Sequence, residues 1–289
     1  MTTNNEFDAV KDTAVNALVK AAAESPNVKA AGQELGKTAL TLTKTINVFL
    51  LPLAALNFGI EKAKAYFTDD FQRELSKKTE GIPVDQLVAP KPSVVGPALQ
   101  GLAFSHEESN LKDLYLNLIA SAMDGRVADK AHPAFVEIIR QLTSEEAKLL
   151  EDLLVWKGGI PIAEIRFMLL PSQGFNVLLR HLVNNFDTET NTPFENPRMS
   201  AIIDNFNRLG LIEATYSMWQ NDPNSYSWVQ MRPEYIRICN EKGTESNKVT
   251  FQRGLLKTTA FGEQFALAVG IKPLSMVEIA ARNLSRMKK

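Results

Sequence analysis

Arg126 and His132 are the residues of this chain whose types and spacing best suit a reaction. An imidazole that exchanges protons, beside a guanidinium that stabilises developing charge on a phosphate, is sound chemistry for RNA cleavage. Asp124, Asp129 and Glu137 stand around the pair in sequence, and Asp124 joins Arg126 and His132 as a candidate catalytic group. The same residues support a second reading. Pro133 puts His132 at a helix start and Gly125 breaks the helix before it, which makes His132 a cap and Arg126 half of a surface ion pair.

Other chemistries find less support. Ser105, His106, Glu107 and Glu108 are neighbours in sequence, whose side chains point apart, so they read as a polar loop before a helix. No GxxxxGK[ST], GxGxxG, GxSxG or HExxH run occurs, and three His with one Cys leave little for zinc. No metal or cofactor is expected.

Net charge is −1, with 15 Lys/Arg against 17 Asp/Glu in residues 1–143 and 17 against 16 in residues 144–289. Neither half is the cationic body that phosphate neutralisation requires, so nucleic acid is a weakly supported partner. The lone Cys239 cannot form an internal disulfide and the first residues carry no secretory pattern. A cytoplasmic location is therefore expected.

The elements that must position these residues are mostly helical. Apolar residues at helical spacing predict a helix over residues 7–23. The next pattern carries no charge from Thr45 to Ile60, a window broken by Pro52. It is too short for a stable membrane span and reads as a buried core helix. The alternative is a segment released on activation to meet a membrane, through Phe49, Leu50, Leu51, Leu53, Leu56 and Phe58. The amphipathic run 61–79, with Lys62, Lys64, Lys77 and Lys78, would then lie in the interface. Pro83, Pro90, Pro92 and Pro97 predict an extended connection over 81–97. Leu111, Leu114, Tyr115, Leu118, Ile119 and Ala122 mark the core face of a helix ended by Asp124 and Gly125. A short helix follows His132-Pro133, and Thr143 with Glu146 forms a capping box for the next.

Beyond residue 144 the pattern changes. A strand is expected over 160–167, a helix over 174–185 and a helix over 197–209 ended by Gly210. Strands are expected over 211–218, 225–231 and 248–256, and a helix over 260–269 capped by Thr258 or Thr259. That order predicts a winged-helix module. The expected fold is thus mainly α: a helical domain over 1–143, a winged-helix-like α+β domain over 144–270 and a basic C-terminal helix over 271–289. Were the winged helix to bind nucleic acid, Arg198 and Arg208 would carry it, although Asp204 opposes them and Met199, Ile202, Ile203 and Phe206 look like packing residues. Winged helices also serve as protein-contact modules.

Three stretches carry a family likeness: Ile82 to Pro90 leading to Gly96-Pro97-Ala98-Leu99, Leu118 to Asp124, and His132 to Leu142. With the return around Leu256 to Phe265, the chain resembles the bacterial abortive infection alpha family. The resemblance implies a role in phage defence, in which an infected cell is stopped before phage are released. It implies no mechanism and no catalytic residues. The expected function is a defence protein acting through a protein partner, self-association or, after activation, a membrane. A ribonuclease using Arg126 and His132 and a winged-helix nucleic-acid-binding regulator are the alternatives.

Overall fold

A computed structural model describes residues 60–274 apart from 157, 170–173, 187–189, 191 and 244–247. The apolar window up to residue 59, the helix expected over 7–23 and the basic helix expected after 275 lie outside the described residues. The chain divides into two compact units, residues up to 151 with 264–272, and residues 152–263 with those from 273.

The first unit is helical: α1 Ile60–Asp69, α2 Phe71–Thr79, α3 Pro92–Ser105, α4 Ser109–Met123, α5 Pro133–Arg140 and the first part of α6, Ser144–Leu154. Tyr66, Phe67 and Phe71 meet edge to face at the α1–α2 junction. Helix α3 buries Val94, Val95, Ala98, Leu99, Leu102 and Ala103, so it is apolar nearly all round and sits in the core. Gly101 permits this packing, because a Cβ there would come within 2.4 Å of the Tyr115 ring. The extended connection expected up to Pro97 ends earlier than that: α3 begins at Pro92 and holds Pro97 inside it. Proline removes the bond to the carbonyl four residues back, but that residue, Ser93, is exposed at the helix start and open to water. The expected capping box is present, with Thr143 N donating to Glu146 Oε2 at 2.8 Å and Glu146 N to Thr143 Oγ1 at 3.2 Å. The last part of helix α9, Ala260–Ala268, returns to this unit, where Phe265 packs edge to face on Phe135 at 5.3 Å.

The second unit overturns the mainly α, winged-helix expectation. Strands β1 Ile160–Leu169, β2 Gly174–Leu182, β3 Ile212–Thr215 and β4 Lys248–Thr258 form one antiparallel sheet in the order β2-β1-β4-β3, which makes the protein mixed α+β. β3 does not turn back on the next segment as a wing would. It pairs with β4, whose other neighbour is the central strand β1.

The local corrections have physical causes. Residues 174–182 were expected to be helical because their short apolar run fits either period. They form β2, since β1 offers a ladder from Leu169 to Ala163 that a helix could not use. Residues 225–231 alternate like a strand, yet Pro223–Met231 is a 3-10 helix. The apparent turn before it is its start: Asp222 Oδ1 accepts from Asn224 N, and Pro223 occupies the first turn. Arg232-Pro233 repeats the signal and opens α8 Pro233–Lys242, which was not anticipated. Helix α7 Met199–Arg208 and α9, capped by Thr259 Oγ1 accepting from Gly262 N, lie close to the expected ranges. One face of the sheet packs Ala163, Ile165, Leu182 and Val249 against Tyr226, Trp228, Val229 and Ile238.

Candidate functional site

The opposite face of the sheet is polar, and its groups converge where β2 ends. Glu164 of β1 is buried and takes Arg166 Nε at 2.8 Å and Arg180 Nε at 3.4 Å. Two guanidiniums on one buried carboxylate offset the desolvation that an unpaired charge would suffer. Arg166 also reaches Gln252 Oε1 at 3.3 Å and lies 4.0 Å over the Phe175 ring.

His181 terminates this arrangement in a left-handed backbone conformation, φ 53°, which costs a non-glycine residue about 1–3 kcal/mol. Hydrogen bonds hold it there. Its backbone N donates to the Tyr216 hydroxyl at 2.9 Å, and its ring reaches that hydroxyl through Nδ1 at 3.1 Å and Asp204 Oδ1 through Nε2 at 3.0 Å. The Tyr216 oxygen accepts from the backbone, so its own proton serves Nδ1, and Nε2 carries the ring hydrogen that Asp204 accepts. Burial pushes the Tyr216 hydroxyl up to about 12. Gly254 makes room for the Tyr216 ring, since a Cβ there would stand 2.5 Å from Tyr216 Cδ1. The exposure runs opposite to that of a hydrolytic triad: the imidazole is 7% exposed and the carboxylate 64%. The arrangement can pin β2 to α7, and it leaves the imidazole no face toward a substrate.

Beside it a cleft of about 260 Å³ opens between the end of β2, the start of α7 and α8, with Leu179, Leu182, Val183 and Met199 among its apolar lining. Arg237 crosses to Glu195 at 3.2 Å. Beneath lies a buried ion pair. Arg232, 1% exposed, donates to both Glu234 oxygens at 2.7 and 3.1 Å and to the carbonyls of Asn185 and Phe194.

β2 is the edge of the sheet, and its rim is treated differently at its two ends. Near the cleft the rim is closed by side chains: Ser200 Oγ donates to Arg180 O at 2.6 Å and Tyr216 accepts from His181 N. From Gly174 to Leu178 every residue is exposed. Phe175, Val177 and Leu178 are 43%, 37% and 36% exposed. The stretch holds no charge and no proline, the usual devices that keep an edge strand from pairing.

The residues singled out from sequence lie elsewhere. Asp124 and Arg126 form an ion pair at 2.6 Å at the end of α4, and Arg126 also reaches Gly81 O. The hydrogen bond from Arg126 holds the Asp124 carboxyl below its ordinary range. His132 caps α5, its Nδ1 accepting from Ala134 N at 3.1 Å, and its ring lies against Phe135. Ser105 spends its hydroxyl on Gly101 O, and His106 stacks on Tyr66. Arg198 precedes the first turn of α7 and Arg208 closes its last, about 15 Å apart at 1.5 Å per residue, too far to make one patch. Both sit on a helix whose buried residues, Met199, Ile202, Ile203 and Phe206, are its packing face. His181, Tyr216, Glu164 and the Arg232–Glu234 pair were not anticipated, and Asp204 only as a counter-charge. No local spacing joins them, because the ladder between β1 and β2 brings them together.

The family model of abortive infection alpha matches residues 63–269. The chain belongs to the abortive infection alpha family. The match spans α1 through α9, so the helices and the sheet are both parts of the abortive infection alpha unit. No curated protein and no solved structure matches the chain significantly. Among the described residues, no helix is long and apolar enough to cross a membrane.

Proposed function

We propose that this protein serves phage defence by abortive infection and that it acts through a protein contact made by the rim of β2. The observation that carries the reading is the contrast along that one strand. The rim is closed by Ser200 and Tyr216 at Arg180 and His181, and left uncharged and exposed over Gly174 to Leu178. An exposed edge strand offers main-chain donors and acceptors to an incoming strand, while flanking apolar side chains supply affinity. Family membership supplies the defence role.

The test is a plaque assay on cells expressing the full chain. Val177→Lys places a charge on the rim at a position 37% exposed, where a substitution typically shifts stability by only ~0.5 kcal/mol. Protection is expected to fall at least tenfold while the protein stays folded and abundant. Full protection by a Phe175→Lys, Val177→Lys double variant would sink the proposal.

A further inference from the structure

We infer that the strand received by β2 is that of a second copy of this chain, paired antiparallel about a twofold axis at Asn176. The inference rests on the reading that the rim of β2 is a protein-contact site, and it names the occupant.

The closed end of the rim fixes where such a pairing can sit. Arg180 O and His181 N are already bonded to Ser200 and Tyr216, so a partner strand stops before them, and β2 begins at Gly174. The exposed stretch 174–178 has Asn176 at its middle. A twofold there sets Phe175 opposite Val177 of the second copy, and Val177 opposite its Phe175. Both residues lie on the face where Arg166 stacks on Phe175, because Met168 and Arg166 are their register partners. Aromatic and β-branched side chains directly opposite one another are favourable cross-strand pairs. No residue from Gly174 to Leu178 is charged, so no like charges are opposed in this register.

Charge over the whole chain agrees. At a net −1 over 289 residues two copies scarcely repel, whereas soluble monomers commonly carry a larger charge that keeps them apart. Five residues a side are short beside the ~1,200–2,000 Å² of a stable interface, so the association is reversible and set by concentration.

Sedimentation equilibrium of the purified full chain tests this. The weight-average mass is expected to climb from 32.1 kDa toward twice that with concentration, and to stay monomeric for Val177→Lys. The register is tested by Asn176→Cys. Residues directly opposite in an antiparallel pair have Cα atoms ~4.5–5.5 Å apart, within disulfide range. Asn176→Cys should therefore form an intermolecular disulfide on mild oxidation, while wild type, with Cys239 alone, and Gly174→Cys should not. Should Val177→Lys misfold, the Asn176→Cys cross-link still decides. A monomer at every concentration, without a cross-link above the wild-type level, overturns the inference. If that monomer still loses protection on Val177→Lys, the occupant is a foreign strand and only this inference falls. A dimer whose Val177→Lys variant protects fully upholds the pairing and removes the functional reading.

Discussion

In the first unit polar side chains finish helices: Thr143 and Glu146 satisfy each other's backbone, His132 takes Ala134 N, and Asp124 holds Arg126. In the second unit they hold together segments distant in sequence: Glu164 gathers Arg166 and Arg180, His181 joins β2 to Asp204 and Tyr216, and Arg232 ties Asn185, Phe194 and Glu234. Local caps fail one at a time, each costing about 1 kcal/mol. A buried long-range pair fails with everything it joins. The first unit should therefore depend on its apolar core, and the second on its polar ties.

The largest expected effect sharpens that contrast. Arg232→Ala strands the buried Glu234 carboxylate and two carbonyls and should cost about 3–5 kcal/mol in chemical denaturation. Phe135→Ala, which empties a fully buried site against Phe265, should cost about 3–5 kcal/mol in the first unit. Equal losses from a polar and an apolar residue would express the difference between the units. If Arg232→Ala costs under about 1 kcal/mol, the polar ties are dispensable and the contrast fails.

A smaller effect is expected at Tyr216. Tyr216→Phe leaves His181 N and Nδ1 without their partner, at about 1–3 kcal/mol. Its hydroxyl titrates near 10 when unfolded and at about 12 when folded. A raised folded value means that the neutral form's stabilisation is whole below pH 10 and is lost as pH climbs toward 12. Wild type should lose stability more steeply than Tyr216→Phe between those values, and parallel alkaline melts would refute this.

The smallest is His132→Ala. Loss of one cap should cost about 1 kcal/mol, and protection against phage should persist, since the imidazole's Nδ1 is engaged by Ala134 N. Abolished protection with an unchanged fold would revive the ribonuclease alternative.

What was legible in the sequence follows the same division. The α4 periodicity, the Thr143–Glu146 box, the Thr259 cap and the Gly210 stop are local signals, and the structure has all four. The wing was misjudged because Asp222-Pro223 is written alike for a turn and for a helix start. β2 was misjudged because Val177-Leu178-Leu179 fits helix and strand until β1 is known to lie beside it. His181, Asp204 and Tyr216 carry no mutual spacing rule at all. Only the fold makes them neighbours.

The missing Cβ at residue 254 carries a constraint of a different kind. Tyr216 lies where that atom would be, and its hydroxyl holds both the backbone and the ring of a residue in a strained conformation. Positions 254, 216 and 181 are thus one inherited decision. A lineage that puts a side chain at 254 must give up the ring at 216, and with it the support that lets 181 be anything other than glycine.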